Sequence, residues 1–454
     1  MKFLNREIEK EILKNEIGKE SSRFIVLYGR RRIGKSALLN EILGDKTVYY
    51  LADINESSVQ RRFFAKQLTG YLRGFDKIDY PDWNTFFEFI NQQLRDKITI
   101  IIDEFPYLVE SSPELPSVIQ KIIDLKQNSN FNIVLCGSSQ QMMQGLVLDK
   151  SAPLFGRAHR IINLKPMTVK WLRKAINLDA VKAVEEYSVW GGIPRNWELR
   201  TEYANLQDAI RELILDPYGI LHEEPLRLFM DDLKNAVQPI SIASLIGQGA
   251  NKLSEIASRL NKPATNLYRP LNNMIETGYL KKDICWGEKS INNKKTLYKI
   301  NDPLSRFYFT FVVPNQSKLN SSRIKSVEEE IQGKWKIYVS ETWEELCRQA
   351  VTKLQIDNIT FLPAQRWWNQ VKNQAGNEID IISESTDGTC LLIGEAKWQR
   401  EINLEKVLSE LNVKSINLNL TKKYNKIYKL IMAPEIEEKD LDDVLFRNAE
   451  FVSL

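Results

Sequence analysis

Apolar runs alternate with stretches of helical spacing along residues 24–167. The runs predict buried strands, whereas residues 35–43 and 58–96 have the spacing of helices, with a break near 70–81. We place the strands at residues 24–28, 47–53, 98–105, 132–139 and 160–167. Buried strands that alternate with helices are typical of an α/β fold, so we expect a doubly wound, mainly parallel sheet.

The pattern changes four times along the rest of the chain. Residues 168–235 predict helices, and residues 240–300 predict three helices followed by two β-like runs. Residues 316–334 are polar and predict a linker or a solvated helix. The final stretch predicts a helix, a strand, a hairpin, a helix, a strand at 426–434 and a helical end. These changes divide the chain into segments 1–167, 168–235, 236–315, 316–335 and 336–454.

Composition narrows the class of protein. A length of 454 residues suggests roughly three domains, and a hydrophobic fraction of 43% fits a globular chain with real cores. A net charge of +4 is too small for a global field that attracts nucleic acid, so any basic surface is local. The four cysteines form no CxxC pair, and the chain has two histidines, which argues against zinc ribbons and histidine-rich metal sites. No signal peptide and no apolar run of membrane-spanning length is evident, so we expect a cytoplasmic protein without a membrane partner.

The segment GRRRIGKS, residues 29–36, fits the pattern G-x-x-x-x-G-K-[ST] between a predicted strand and a predicted helix. Its glycines let backbone N–H groups surround an anion at a helix N-terminus. Lys35 would reach the β- and γ-phosphates of a nucleotide, and the Ser36 hydroxyl would ligate Mg²⁺. The alternative is an ordinary strand-to-helix turn. The predicted nucleotide-binding residues of the loop are Gly29, Arg30, Arg31, Arg32, Ile33, Gly34, Lys35, Ser36 and Ala37.

The run ITIIIDEF ends in two acids at the carboxyl end of a predicted strand, where ligands bind in open α/β sheets. We expect Asp103 to hold Mg²⁺ through water and Glu104 to polarise the attacking water. Ser138 and Ser139 could sense the γ-phosphate, although a plain turn explains them equally well. Arg157 could touch nucleotide phosphates in its own or a neighbouring subunit, and a surface arginine is the alternative.

Several segments taken in order resemble the archaeal-type ATPase family, a member of the signal-transducing branch of AAA+-like P-loop ATPases. They are FLNREIEKEI, GRRRIGKSALL, ITIIIDEFPYL, IVLCGSSQQMM, PLFGRAHRIINLKPM and GGIPRNW, and the match as a whole covers about residues 1–235. The resemblance implies ATP as ligand, a helical lid at 168–235, and a position of Pro194 near the nucleotide. It also implies a role for Arg6 near the base of the nucleotide. The residues alone make GGIP only a turn between helices.

Residues 236–315 resemble a winged helix, with 265–277 in the recognition position. Asn266, Tyr268, Arg269 and Asn272 could then face a DNA groove. The following run would form a basic wing containing Lys281, Lys282, Lys289, Lys294 and Lys295. Winged helices also mediate protein contacts or have structural roles, and both possibilities stay open. The segment 302–315 resembles the one that follows this domain in the same family.

The predicted hairpin near the C-terminus carries acids inside apolar runs. Strand alternation puts Asp380 on one face of the first strand, and Glu395 and Lys397 share a face of the second. The two carboxylates could bind Mg²⁺, and the lysine could act on the attacking water or the phosphate. Glu344, on an upstream helix, could add a third acid. A surface salt bridge is the alternative interpretation.

The pattern D-x(14)-E-x-K, with a helix before it and a helix and strand after it, resembles the PD-(D/E)xK nuclease superfamily. The C-terminal domain of the archaeal-type ATPase family has the same kind of signature. Here Ile379, rather than proline or glycine, precedes the aspartate. The resemblance implies a small restriction-endonuclease-like α/β domain at 336–454.

Together these features predict an ATP-binding and ATP-hydrolysing switch that requires Mg²⁺. The switch would be coupled to a module that binds nucleic acid and has a metal-dependent nuclease site. The alternative is an ATP-dependent regulatory switch whose C-terminal domain binds DNA or protein without catalysis. A DNA partner and an oligomer are compatible with either interpretation.

Overall fold

A computed structural model describes residues 3–124, 129–233, 235–288, 296–369, 377–418 and 424–454. The chain forms two compact units. The first contains Met1–Pro166 and Ile193–Arg195, and the second contains Met167–Gly192 and Asn196–Leu454. Among the residues just given, no helix is both long and apolar enough to cross a membrane.

The first unit is built on a five-stranded sheet, and every neighbouring pair of strands in it is parallel. Its strands are β1 Phe24–Tyr28, β2 Thr47–Leu51, β3 Ile98–Asp103, β4 Phe131–Gly137 and β5 Arg160–Asn163. Their order is β2-β3-β4-β1-β5. Because all strands run the same way, the segments that follow β1, β3 and β4 meet at one edge of the sheet. The predicted parallel sheet is confirmed.

Helices cover both faces of this sheet. They are α1 Glu7–Ile17, α2 Lys35–Asn40, α3 Ser57–Gln67, α4 Trp83–Gln93, α5 Phe105–Ser111, α6 Leu115–Asp124 and α7 Gln140–Val147. Alternate residues of β1 enter two different cores, since Val26 packs with Phe64 and Trp83, whereas Leu27 packs with Leu13 and Leu38. This alternation is the physical basis of the doubly wound arrangement.

The second unit begins with helices, as the pattern of residues 168–235 predicted. They are α8 Val169–Ile176, α9 Ala180–Trp190, α10 Pro194–Arg200, α11 Leu206–Ile210 and α12 Glu224–Asp232, with a π-helical turn at Arg211–Leu215. The first two residues of α10 belong to the first unit. A buried ion pair joins Arg200 to Glu186 at 2.6 Å, and the indole of Trp190 donates to the same carboxylate. The buried negative charge of Glu186 is therefore balanced by Arg200, and Trp190 adds a hydrogen bond to it.

Residues 237–315 form helices and a two-stranded hairpin. The elements are α13 Val237–Gly247, α14 Leu253–Arg259, a 3-10 turn Ala264–Leu267, α15 Tyr268–Glu276, β6 Leu280–Ile284, β7 Thr296–Ile300 and α16 Pro303–Phe307. A π-helical turn Tyr308–Val312 and a 3-10 turn Val313–Asn315 follow. β6 and β7 are antiparallel, and Lys252 forms an isolated bridge to Leu297. The three predicted helices and two β-like runs are present.

Of the two structures predicted for the polar stretch 316–334, a linker or a solvated helix, the helical one is largely present. α17 spans Gln316–Asn320, and α18 spans Ile324–Ala350 over 27 residues. The boundary drawn between 335 and 336 therefore falls inside a helix. Val327 and Ile331 are buried, so α18 buries a narrow apolar stripe although most of its residues in this stretch are polar.

The rest of the second unit is a mixed six-stranded sheet with order β10-β11-β12-β13-β15-β14. After a 3-10 turn Val351–Lys353 the elements are β8 Gln355–Ile356, β9 Ile359–Thr360, β10 Gln365–Asn369, β11 Asn377–Glu384, β12 Cys390–Ala396, α19 Leu404–Asn417, β13 Lys426–Met432, β14 Lys439–Leu441, β15 Val444–Arg447 and α20 Ala449–Val452. β11 and β12 form the predicted antiparallel hairpin, and β12 pairs in parallel with β13. The predicted succession of helix, strand, hairpin, helix and strand is confirmed.

Candidate functional site

The loop between β1 and α2 has the backbone of an anion-binding turn. Gly34 lies in the left-handed region with a φ of 97° and precedes the first residue of α2. Gly29 approaches the chain after β5 so closely that a Cβ there would lie 2.7 Å from the carbonyl oxygen of Leu164. Lys35 is buried, and its Nζ donates to the carbonyl oxygens of Gly29 and Arg30, each at 3.0 Å. The ammonium is thus held within the curve of the loop.

Asp103, at the end of β3, is fully buried and surrounded by donors. Its Oδ2 accepts hydrogen bonds from Ser36 Oγ at 2.7 Å and from Tyr49 Oη at 2.6 Å, and its Oδ1 accepts from the backbone N–H of Glu104 at 2.9 Å. Burial, followed by the charge of Asp103, raises the pKa of Tyr49, so the phenol keeps its proton as a donor. A hydroxyl beside a carboxylate is a donor set that fits Mg²⁺.

Glu104 has an unusual backbone conformation for a residue with a side chain, with a φ of 53°. Its Oε2 accepts hydrogen bonds from Ser138 Oγ at 2.8 Å and from the backbone N–H of Ser138 at 3.2 Å. Ser138 follows β4, the neighbour of β3, so the parallel sheet brings the two residues together. Ser139 instead begins α7, where its hydroxyl accepts from the backbone N–H of Met142 at 3.4 Å.

Two further predicted residues lie within the first unit. Pro194 belongs to the short segment 193–195, and the preceding Ile193 is buried in the core that contains Ile33 and Leu38 of the loop and α2. Arg6 is buried, and it donates to the carbonyl oxygen of Lys165 at 2.7 Å. These contacts hold both segments on the side of the sheet where α2 packs.

Arg157 forms an ion pair with Asp124 at the end of α6. Its Nε lies 2.9 Å from Oδ1 of Asp124, and one terminal nitrogen lies 3.0 Å from Oδ2. In this structure the guanidinium is therefore engaged within its own chain, which is the surface-arginine alternative of the sequence analysis.

A second candidate site lies on the β11–β12 hairpin. The register pairs Ile381 with Gly394, so Asp380 and Glu395 occupy adjacent positions on neighbouring strands. Lys397 Nζ lies 2.5 Å from Oε2 of Glu395 and 3.8 Å from Oδ2 of Asp380. The two carboxylates therefore share one ammonium, and their oxygens cannot be farther apart than the sum of these two distances. That separation is below the roughly 8 Å at which two carboxylates could no longer share an ion.

Burial sets the electrostatics of this pair. Glu395 is 2% exposed and Asp380 8% exposed. Burial, and then the charge of Glu395, raises the pKa of Asp380. Burial opposes the charged form of Lys397, but the carboxylates of Glu395 and Asp380 outweigh it and raise the pKa of the ammonium. Both shifts are those expected of like charges held together and of a cation between them.

Glu344 does not complete a three-carboxylate metal site. In the part of the chain that the structure describes, no group of three or more histidine, cysteine, aspartate or glutamate side chains is placed to hold a metal ion. Burial, and then the charge of Asp380, raises the pKa of Glu344 to about 7, so it lies within electrostatic range of the hairpin. Arg348 lies 4.0 Å from Glu344 and donates to the carbonyl oxygen of Asp380 at 3.0 Å, so a cation lies beside both residues.

Helix α15 presents polar side chains to solvent, as a recognition helix requires. Tyr268, Arg269 and Asn272 are exposed, and Asn266 is exposed in the turn before the helix. Lys282 is exposed on β6, but Lys281 is not available as a wing cation, because its Nζ pairs with Glu345 of α18 at 3.0 Å. Lys289, Lys294 and Lys295 lie outside the described residues.

The pair between Lys281 and Glu345 belongs to a larger network. Burial opposes ionisation of Glu345, but Lys281 and Arg348 outweigh it and lower the pKa of this carboxyl to about 2. A backbone hydrogen bond lies beside this network. The N–H of Trp286, two residues after β6, donates to the carbonyl oxygen of Arg366 on β10 at 2.9 Å. The β6 segment is thus bound to α18 and to the edge of the C-terminal sheet.

Comparison with known proteins supports this description. An ATPase domain predominantly from Archaea matches residues 3–198, and a family described as Archaea bacterial proteins of unknown function, DUF234, matches residues 308–431. An uncharacterised protein of Methanocaldococcus jannaschii is 30% identical over 461 residues, which is 99% of each chain. The chain belongs to this archaeal ATPase family.

Two further likenesses fit the archaeal ATPase family. An uncharacterised ATP-binding protein of Methanocaldococcus jannaschii is 39% identical over 46 residues, which is 10% of this chain and 78% of that protein. A Walker-type ATPase of Pyrococcus abyssi is similar in fold, with a TM-score of 0.51, 18% identity, and coverage of 68% of this chain and 96% of that one. The family match at residues 3–198 and this likeness in fold support a P-loop ATPase-like fold for the first unit.

Sequence analysis missed one polar residue at each site of this archaeal ATPase. Tyr49, on β2, reaches Asp103 because β2 and β3 are neighbours in the sheet. Lys414, on α19, donates to Oε1 of Glu395 at 2.6 Å. Neither residue lies in a motif, and only tertiary packing brings it to the site. Knowing that β2 lies beside β3 in the sheet would have suggested Tyr49, but the sequence analysis did not predict the order of the strands.

Proposed function

We propose that this protein is an ATP-binding and ATP-hydrolysing switch of the cytoplasm. Lys35, held within the loop, would contact the β- and γ-phosphates of ATP, and the backbone N–H groups of residues 29–36 would surround them. Ser36 and Asp103 would hold Mg²⁺, which supplies charge neutralisation when bound. The observation that carries the proposal is the meeting of Lys35, Ser36, Asp103 and Glu104 at one edge of a parallel sheet.

In this proposal Glu104 acts as the general base. Glu104 directly follows Asp103 in the chain, and Ser138 fixes one of the two oxygens of its carboxylate. The other oxygen can then accept a proton from a water molecule. The positive φ at Glu104 fits a functional constraint at this position, because such a conformation costs on the order of 1 kcal/mol or more for a residue with a side chain.

ATP binding and hydrolysis by the full-length protein test the proposed nucleotide site. Lys35→Ala should weaken the affinity for Mg-ATP and abolish hydrolysis, because it removes the ammonium from the loop. Lys10→Ala is a matched control, since Lys10 lies on α1 and pairs with Glu41 at the far end of α2. Full hydrolysis by the Lys35→Ala protein would overturn the proposed site.

The second unit supports a nucleic-acid-processing role. Elements α13 to β7 fit a winged helix, with α15 as the recognition helix. Elements α18, β10 to β12, α19 and β13 fit the core of a PD-(D/E)xK nuclease-like domain. Asp380 and Glu395 would hold Mg²⁺, because hard carboxylate oxygens are its preferred protein ligands. Lys397 would orient the attacking water or steady the charge that develops on the phosphate.

A non-catalytic C-terminal module is the second candidate, and a specific observation favours it. Both oxygens of Glu395 already accept hydrogen bonds from lysines, at 2.5 and 2.6 Å, and Glu344 does not join the pair. A site neutralised in this way could bind a phosphate backbone through its lysines without cleaving it. The switch would then regulate DNA or protein binding only.

Cleavage of a mixed set of DNA substrates in Mg²⁺ or Mn²⁺ separates the two candidates. A nuclease predicts metal-dependent products that Asp380→Asn eliminates while leaving ATP hydrolysis unchanged. A control variant is Asp387→Asn, since Asp387 lies in the turn between β11 and β12 and contacts Ser385 and Thr389. Products that persist in the Asp380→Asn protein would assign the cleavage to a contaminant or to another site. DNA binding without products in any metal would favour the binding module.

A further inference from the structure

Glu395 lies between two lysines from different elements of the fold. Lys397 follows β12 and contacts Oε2, whereas Lys414 comes from the last turn of α19 and contacts Oε1 at 2.6 Å. Glu395 is 2% exposed, so both contacts form in a low-dielectric setting where charge pairs are strong. Each oxygen of this carboxylate therefore already has a cationic partner.

The two lysines are not equivalent. Lys397 lies between both carboxylates, since its Nζ is also 3.8 Å from Oδ2 of Asp380. Lys414 contacts the other oxygen of Glu395, and its side chain is 21% exposed. The pair of carboxylates needs one cation beyond Lys397 to balance its charge. Lys414 supplies that charge at Oε1 of Glu395.

Helix α19 fixes the position of Lys414. Leu411, one turn earlier, is fully buried in a core with Ile379 and Ile393 of the hairpin. Residues three apart lie on one face of a helix, so the stem of Lys414 leaves the helix directly above that core. The contact with Glu395 follows from how α19 packs on the sheet, rather than from a chance surface encounter.

We propose that Lys414 is a built-in cation that competes with a divalent metal for Oε1 of Glu395 and thereby sets the metal affinity of the C-terminal site. Metal binding requires the Lys414 ammonium to leave Oε1 of Glu395, while Lys397 stays between the carboxylates. Lys414 is thus a positioning residue that keeps the site neutral and closed to metal until it is displaced. The inference rests on the proposed metal site at Asp380 and Glu395.

Calorimetric titration of Mn²⁺ into the nucleotide-free full-length protein tests the inference. Lys414→Gln and Lys414→Met each remove the competing charge, so each should bind Mn²⁺ at least about tenfold more tightly than the wild type. That factor corresponds to one charge-assisted hydrogen bond to a buried carboxylate. The same variants should gain more in melting temperature when Mn²⁺ is added.

Two further variants act as controls. Lys414→Arg keeps the charge and should bind Mn²⁺ as the wild type does. Lys406→Gln removes an exposed lysine two turns earlier on α19 and should also leave the affinity unchanged. Circular dichroism confirms the fold of each variant, and two neutral substitutions keep the test valid if one of them misfolds.

The outcomes separate this inference from the proposed function. If Mn²⁺ binds the wild type in a manner that Asp380→Asn removes, but neither neutral variant binds more tightly, Lys414 does not compete with the metal. If no variant binds Mn²⁺ through Asp380, both the metal site and the inference fail. Tighter binding in Lys414→Gln and Lys414→Met, abolished again when Asp380→Asn is added, is the result that the inference expects.

Discussion

Ser36 Oγ donates a hydrogen bond to Oδ2 of Asp103 at 2.7 Å, which joins the phosphate loop to the end of β3. This pair is the expected magnesium site, so Asp103→Asn should abolish the Mg²⁺ dependence of ATP binding. Titration of ATP with and without Mg²⁺ measures it. Tyr49→Phe removes one hydrogen bond to the same oxygen but keeps the charge, and it should retain the dependence. Full Mg²⁺ stimulation in Asp103→Asn would place the metal elsewhere.

Ser138 should position Glu104 without binding ATP tightly itself. Its hydroxyl accounts for the shorter of two hydrogen bonds to Oε2 of Glu104, so Ser138→Ala should lower kcat about tenfold and leave KM nearly unchanged. Ser138→Thr restores a hydroxyl and should recover most of the rate. Steady-state phosphate release measures both variants. A rise in KM at constant kcat would instead make Ser138 a binding residue.

The predictable part of the fold was the part with strong local signals. β3 and β4 are buried along their whole lengths, so their apolar runs stand out, and the phosphate loop has fixed spacing between a strand and a helix. The hairpin partners Asp380 and Glu395 were predictable because a turn sequence separates two apolar runs. In each case the deciding interactions connect residues of one motif or of adjacent strands.

The unpredicted part depends on interactions between residues distant in sequence. Lys414 reaches Glu395 only because α19 packs on the sheet. Lys281, which was predicted to lie in a basic wing, instead forms an ion pair with Glu345 of α18. For residues 316–334 the sequence left both a linker and a solvated helix open, because the buried stripe of α18 is thin there, with Val327 and Ile331 among charged neighbours. Periodicity is weak when few residues per turn are apolar.

The structure changes which lysines should contact DNA. Arg269 and Lys282 are exposed, whereas Lys281 is paired with Glu345. If the winged helix binds DNA, Arg269→Gln together with Lys282→Gln should lower the salt dependence of log K by roughly 0.9 for each phosphate that is no longer neutralised. Fluorescence anisotropy across a salt series gives the slope. Lys336→Gln, an exposed lysine on α18, is the control, and an unchanged slope in the double variant would contradict DNA binding through α15 and β6.

The ionisation of Glu345 should make the free energy of unfolding depend on pH. Its folded pKa of about 2 lies below the ordinary 4.5, so the ionised carboxyl stabilises the fold above pH 4.5, and this contribution is lost as pH falls toward 2. About a third of each partner side chain is exposed, so solvent screening reduces the contribution to about 1 kcal/mol. Glu345→Gln should lower the free energy of unfolding by that amount at pH 7, and the deficit should shrink below pH 4.5.

Urea unfolding between pH 7 and pH 3 measures this deficit. Glu341→Gln is the matched control, because its partner Arg306 lies 3.3 Å away and Glu341 is 57% exposed. An exposed pair of this kind contributes less than about 0.5 kcal/mol. A deficit in Glu345→Gln that stays constant with pH would show that the ion pair with Lys281 and Arg348 does not stabilise the fold.

ATP hydrolysis by the Glu104→Gln protein tests whether Glu104 is the general base of an ATPase. We expect the wild-type protein to release phosphate in a Mg²⁺-dependent reaction. Glu104→Gln should bind Mg-ATP with wild-type affinity and hydrolyse it at least about 100-fold more slowly, because a general base contributes that much. Glu110→Gln, an exposed acid on α5, should behave as the wild type. Absence of hydrolysis by the wild type, or wild-type turnover by Glu104→Gln, would contradict the account.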